Sequence, residues 1–145
     1  MALRRRALLA VLALAAPGAH LAAADPLVDY TLFCMGCHGA QAQGVPGKVP
    51  PLAGALSRFM RTPEGRDYVL RVPGAANSAL SDEQLTGVLN WLAGRDAAAA
   101  AAPVVPFTVA EVARARRTPL ERVQETRLAV IRALAASGTA PAVDY

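Results

Sequence analysis

Hydrophobic and polar positions divide the chain into stretches of different period. Residues Ala7 to Ala16 form an unbroken apolar run, behind three arginines (Arg4, Arg5, Arg6) and ahead of the helix-breaking pair Pro17-Gly18. Beyond residue 25 the apolar positions fall at helical spacing, and Leu27, Tyr30, Leu32 and Phe33 mark a first helix over about Pro26 to Cys37. Residues 39–52 hold Gly39, Gly44, Gly47, Pro46, Pro50 and Pro51, which is turn chemistry and not an element. Thr62 then caps, and Pro63 starts, a short helix through about Arg71 that Pro73-Gly74 closes. Ser81 with Gln84 three positions on forms a capping box. It opens a helix to about Ala93 that buries Leu85, Val88, Leu89 and Leu92, with Gly94 at its C′ position.

A compositional break follows. Six alanines, Ala97 to Ala102, run into Pro103 and Pro106 and read as a linker over residues 96–106 or a frayed helix end. Past it, Thr108 with Glu111 and Thr118 with Glu121 form two further capping boxes, the second strengthened by Pro119, and predict helices over about 109–117 and 119–136 ended by Gly138. Leu120, Val123, Val130, Ile131 and Leu134 make one apolar stripe on the second of these, while Arg122, Glu125, Arg127 and Arg132 populate other faces. The stripe must be buried, either against the preceding domain or against a partner protein. With no strand pattern and no internal repeat, the expected fold class is all-α: a helical domain over 25–95, the linker, and a helical extension over 107–145.

The amino-terminal 24 residues read as an export signal outside the fold. A basic start, a ten-residue apolar run and an A-x-A site at Ala22-Ala23-Ala24 are its three parts. The run falls short of the roughly 20 apolar residues a membrane crossing needs, so cleavage leaves no stable membrane span. Removing Arg4, Arg5 and Arg6 also changes the meaning of the charge. The full chain carries 15 basic against 11 acidic residues, and the processed chain 12 against 11, which is no nucleic-acid footprint. Residues 103–145 hold six arginines and four acids, a small positive excess that could steer an acidic partner.

The candidate chemistry sits in Cys34-Met35-Gly36-Cys37-His38. Two thiols three apart lie on one face of a helical turn, where both can form thioethers to the vinyl groups of one porphyrin, and the adjacent imidazole can ligate its iron. Haem c is therefore the expected cofactor. The competing uses of a Cys-x-x-Cys pair are a redox disulfide and half of a zinc site. No second Cys or His pair completes a zinc shell, and no βαβ pattern surrounds the motif.

From that motif outward, the order of helix, CxxCH-Gly, glycine-rich loop, Pro51-Leu52-Ala53-Gly54, short helix, loop and capped helix resembles the monohaem class I cytochromes c, over roughly residues 26–93. The resemblance implies electron transfer, haem attachment by Cys34 and Cys37, iron ligation by His38, and a hydrogen bond from the His38 ring to the Pro51 carbonyl. It also likens Trp91 to an aromatic packed near the haem edge.

The second iron ligand departs from the family. A class I methionine would stand in the segment 72–80, which holds none. Of Met1, Met35 and Met60, the first is in the signal and the second inside the motif, so Met60 is the candidate. An open position or a donor such as Asn77 is the alternative. The leading expectation is thus a bacterial periplasmic single-electron carrier, not an enzyme, whose redox partner is of the kind of a periplasmic dehydrogenase. A haem enzyme or gas sensor with an open distal site stands second, and a thiol oxidoreductase using Cys34 and Cys37 third.

Overall fold

The structure, a computed structural model, describes residues 25–97 and 104–138. Residues 1–24, expected above to be an export signal, residues 98–103 of the expected Ala/Pro linker, and residues 139–145 lie outside the described residues. What is described is all-α. Eight helices follow in order: α1 (Pro26–Phe33), α2 (Met35–His38), α3 (Leu56–Phe59), α4 (Pro63–Arg71), α5 (Pro73–Ala76), α6 (Asp82–Ala97), α7 (Val109–Ala115) and α8 (Val123–Ala136). The sole β feature among the described residues is an isolated bridge between Val45 and Val49.

Side-chain caps mark four of the eight helix starts. Asp25 Oδ1 accepts from Leu27 N at 2.9 Å, Thr62 Oγ1 from Gly65 N at 3.1 Å and Thr108 Oγ1 from Glu111 N at 3.2 Å. Such caps supply acceptors for amides that have no partner within the helix. The box at the head of α6 is reciprocal: Gln84 N donates to Ser81 Oγ at 3.2 Å, and Ser81 N to Gln84 Oε1 at 3.1 Å. α1 crosses α6 through Tyr30 and Trp91, whose rings lie 5.7 Å apart. Around that crossing Leu85, Val88, Leu89 and Leu92 fill the core.

Three expectations are corrected. The first helix does not run unbroken into the motif but ends at Phe33, because Cys34 takes φ −124° and ψ −37° before α2 begins. α6 runs through Gly94 to Ala97. The reason is tertiary: the Asp96 carboxylate, 8% exposed, accepts from Gly54 N at 2.6 Å and Ser57 N at 3.4 Å and so caps the distant α3, which holds the last turn of α6 in place. α8 starts at Val123 and not at Pro119. Leu120 N donates to Arg71 O at 2.8 Å and Arg71 Nε to Thr118 O at 2.7 Å, and these bonds hold residues 118–120 against α4 in place of a local capping box.

The carboxy-terminal extension packs back onto the first domain, α7 against α6 and α4, and α8 against α4. Phe107, Val112, Val130 and Leu134 are all at most 5% exposed. Arg127 joins this buried face at 4% exposure with its guanidinium 5.4 Å from the centre of the Phe59 ring, where the sequence pattern puts it on another face. Arginines do most of the stitching. Arg66 meets Glu111 through two of its three guanidinium nitrogens, Nε to Oε1 at 2.8 Å and Nη2 to Oε2 at 2.7 Å, and donates also to the carbonyls of Val105 and Pro106. Arg116 reaches back from α7 to the carbonyls of Ala76, Ser78 and Leu80 and to Asp82, fastening the segment between α5 and α6.

The Arg66 pair has a pH signature. Arg66 holds the Glu111 carboxyl below its ordinary value, chiefly by hydrogen bonding, against an opposing effect of burial. A depressed folded value gives stability that is fully present above the unfolded pKa of about 4.3 and lost as pH falls through the folded one. Glu111→Gln is expected to lower stability by about 1.5–3 kcal/mol near neutral pH, the range for hydrogen bonds to charged groups. In urea melts the gap to the parent protein should narrow below about pH 4.

Candidate haem site

The site is assembled by a break between helices followed by a glycine-dependent loop. At Cys34 the chain leaves α1, and His38 N and Cys37 N both return to the Cys34 carbonyl, at 3.0 and 3.2 Å, so Cys34, Cys37 and His38 share one short turn. Gly39 ends it at φ +79°, a conformation that favours glycine. The Gly39 carbonyl accepts the Tyr30 hydroxyl at 2.6 Å, which ties the motif to the ring pair where α1 crosses α6. Trp91 therefore packs on Tyr30, with Arg95 stacked 4.8 Å from its ring centre.

The His38 ring is oriented from the loop. Nδ1 lies 3.0 Å from the Pro50 carbonyl, so the acceptor is one residue earlier than the Pro51 carbonyl expected from the sequence. The two prolines are adjacent, and spacing alone could not say which carbonyl turns inward. The loop decides it. Gly44, at φ +70°, donates to His38 O at 2.8 Å, and a Cβ there would run into the carbonyls of Val49 and Pro50. Glycine at position 44 thus lets the Pro50 carbonyl approach the ring.

A carbonyl only accepts, so Nδ1 carries the proton and Nε2 keeps its lone pair. Burial pushes the His38 pKa down, the bond to Pro50 opposing in part, and the neutral imidazole this favours is the form that binds a metal. The thiols are suited to the same group. No disulfide joins them; Cys37 is exposed, while Cys34 is half-buried against the core.

These features speak against the competing uses of the cysteines. A disulfide oxidoreductase needs a thiol whose pKa is lowered, yet burial first, then Asp29 and Cys37, push the Cys34 thiol up. For zinc, no cluster of three or more His, Cys, Asp and Glu side chains stands together among the described residues. Two alkylatable thiols and an oriented Nε2 on one turn fit haem c.

The remaining candidates lie apart from this turn in the chain. Met60 is 2% exposed in the main core, at the end of α3, beside Leu56 and Phe59. Asn77 is exposed at the end of α5. Pro50 is the site residue that sequence reading missed, and a Pro-Pro pair after a Gly-rich loop was its only signal.

Residues 15–96 match the family model of cytochrome c. A cytochrome c-552 of Thermus thermophilus is 33% identical over 135 residues, covering 80% of this chain and 89% of the relative. A second cytochrome c-552 from Thermus thermophilus is 32% identical over 106 residues, 60% of this chain and 81% of its own.

Proposed function

The chain belongs to the cytochrome c family, carrying covalently bound haem c, and on that premise we propose that it shuttles single electrons in the bacterial periplasm between protein partners, one of them of the kind of a periplasmic dehydrogenase. The observation that carries the reading is the His38 ring, fixed through Nδ1 on Pro50 with Nε2 left free beside two thiols.

In this reading Cys34 and Cys37 would hold the haem by thioether links, His38 would supply an imidazole to its iron, and the Pro50 carbonyl would keep that ring in its orientation. When bound, the haem supplies one-electron chemistry at its iron, and its potential depends on the axial ligands across roughly 0.8 V. The protein's part is to keep His38 neutral and in one orientation, so that little reorganisation accompanies each electron. Met60 is proposed as the residue that would supply a second iron ligand, since the other methionines, Met1 and Met35, stand in the proposed signal and in the motif. The amino-terminal 24 residues are proposed as the cleaved export signal. Among the described residues no helix is long and apolar enough to cross a membrane.

The test is a mass and a spectrum. The exported chain is expected to begin at Asp25 and to weigh one haem more than its amino acids; a colourless chain of the bare mass would end the reading. Met60→Ala is expected to convert the reduced protein from low to high spin and to open it to carbon monoxide. An unchanged spectrum would remove Met60 as a ligand, and a parent protein that itself binds carbon monoxide quickly would favour the open-site reading.

A further inference from the structure

We propose that the Tyr30 hydroxyl is a positioning group for the His38 imidazole, holding the turn that follows His38 from the α1 side as Pro50 holds the ring from the loop side; the assignment rests on the haem reading above. Tyr30 is 1% exposed, and its ring packs against Trp91 where α1 crosses α6. That packing needs only a ring. Phenylalanine would fill the same space without bringing a polar group into the core, where an unmatched hydroxyl costs stability. What tyrosine adds is one short hydrogen bond, 2.6 Å from its hydroxyl oxygen to the carbonyl of Gly39, the residue after His38.

The Gly39 carbonyl is a junction. It accepts from Tyr30 on α1 and from Ala42 N at 3.0 Å, while the Ala42 carbonyl accepts from Leu52 N at 2.8 Å and Ala53 N at 3.0 Å, just past the Pro50-Pro51 pair. A line of bonds thus runs from α1 through the turn to the stretch whose Pro50 carbonyl lies against His38 Nδ1. Ala42 is its strained member. It is 2% exposed and stands at φ +57°, the one non-glycine in the left-handed region among the described residues. An alanine keeps that conformation only where its surroundings impose it, because its Cβ crowds the following carbonyl. The bonds at both ends of Ala42 impose it here, and the Tyr30 hydroxyl fixes the carbonyl to which the first of them runs.

The consequence is one of orientation. The His38 backbone is tied at its nitrogen to Cys34 O, at 3.0 Å, and at its carbonyl by Gly44 N, at 2.8 Å. Without the hydroxyl those bonds remain, but the next carbonyl along loses its anchor on α1, so the strained turn relaxes and shifts the Pro50 stretch with it. Groups that never touch a metal set the orientation of the imidazole that binds it. Tyr30 acts in that way, through backbone. Attachment itself needs only the two thiols, so it is expected to survive the loss.

The experiment uses the full exported holoprotein: the parent, Tyr30→Phe, the pair Tyr30→Phe with Ala42→Gly, and Leu134→Ala as a control for general loosening. Mass first establishes one haem in each. The readout is the proton magnetic resonance spectrum of the ferric protein, in which the shifts of the haem methyl groups follow the angle of the axial imidazole plane, with far-ultraviolet dichroism run beside it. Tyr30→Phe is expected to keep its helix content and to displace those methyl shifts. Glycine adopts the left-handed conformation freely, so the pair is expected to return the shifts toward the parent's. Leu134→Ala, at a buried site on α8, is expected to leave them in place. Should Tyr30→Phe fail to mature, the pair is expected to mature with shifts near the parent's, and failure of both would make Tyr30 a folding residue and end the assignment. Parental shifts in Tyr30→Phe, a displacement that Ala42→Gly does not reduce, or an equal one in Leu134→Ala would each overturn it and leave the haem reading intact. A parent chain of bare amino-acid mass would overturn both, and the mass alone tells the two failures apart.

Discussion

His38→Ala is expected to abolish the low-spin spectrum and to cut the yield of stable holoprotein by more than about 100-fold. Loss of an outer hydrogen-bond partner of a metal-binding histidine costs about 10–100-fold. Loss of the imidazole itself must cost more, since no other histidine stands among the described residues. The variant also strands the Pro50 carbonyl, which now receives the ring at 3.0 Å. Visible absorption of the exported fraction, normalised to protein, checks this. A low-spin His38→Ala protein at parental yield would mean that iron is held from elsewhere, and the tautomer argument built on Nδ1 would carry no functional weight.

Leu134→Ala is expected to destabilise the whole molecule by about 2–5 kcal/mol, the range for emptying a well-packed leucine site. Leu134 is 0% exposed on α8, far along the chain from the haem motif, and α8 packs on α4. The melting temperature should fall by roughly 3–5 °C for each kcal/mol at this size, followed by the far-ultraviolet signal. Haem attachment should persist, because the thioethers form on a turn that Leu134 does not touch in sequence or in the stitching described above. A variant melting with the parent would mean that the extension adheres weakly and that its stripe serves a partner instead.

Most of the site chemistry was legible in the chain. CxxCH named the cofactor because covalent attachment needs two thiols at one fixed spacing and an imidazole next to them. The caps at Thr62, Ser81 and Thr108 were legible because capping is local, one side chain and one amide three residues away. Reading failed where a distant group overrode a local one. Gly94 looked like a helix end until Asp96 found Gly54 and Ser57, 42 and 39 residues earlier. Thr118 looked like a cap until Arg71 took its carbonyl, and Arg127 stood off the apolar stripe until packing buried it with its guanidinium near the Phe59 ring.

By itself, then, the sequence determined the helical class and the covalent haem, since both depend on residues within a few positions of one another. Only the tertiary structure decided that Pro50 and not Pro51 holds the His38 ring, and that the carboxy-terminal helices fold back onto α4 and α6. Those outcomes turn on which groups meet across long stretches of chain. Burial and hydrogen bonding are settled there by shape, and shape exists only once the helices have packed.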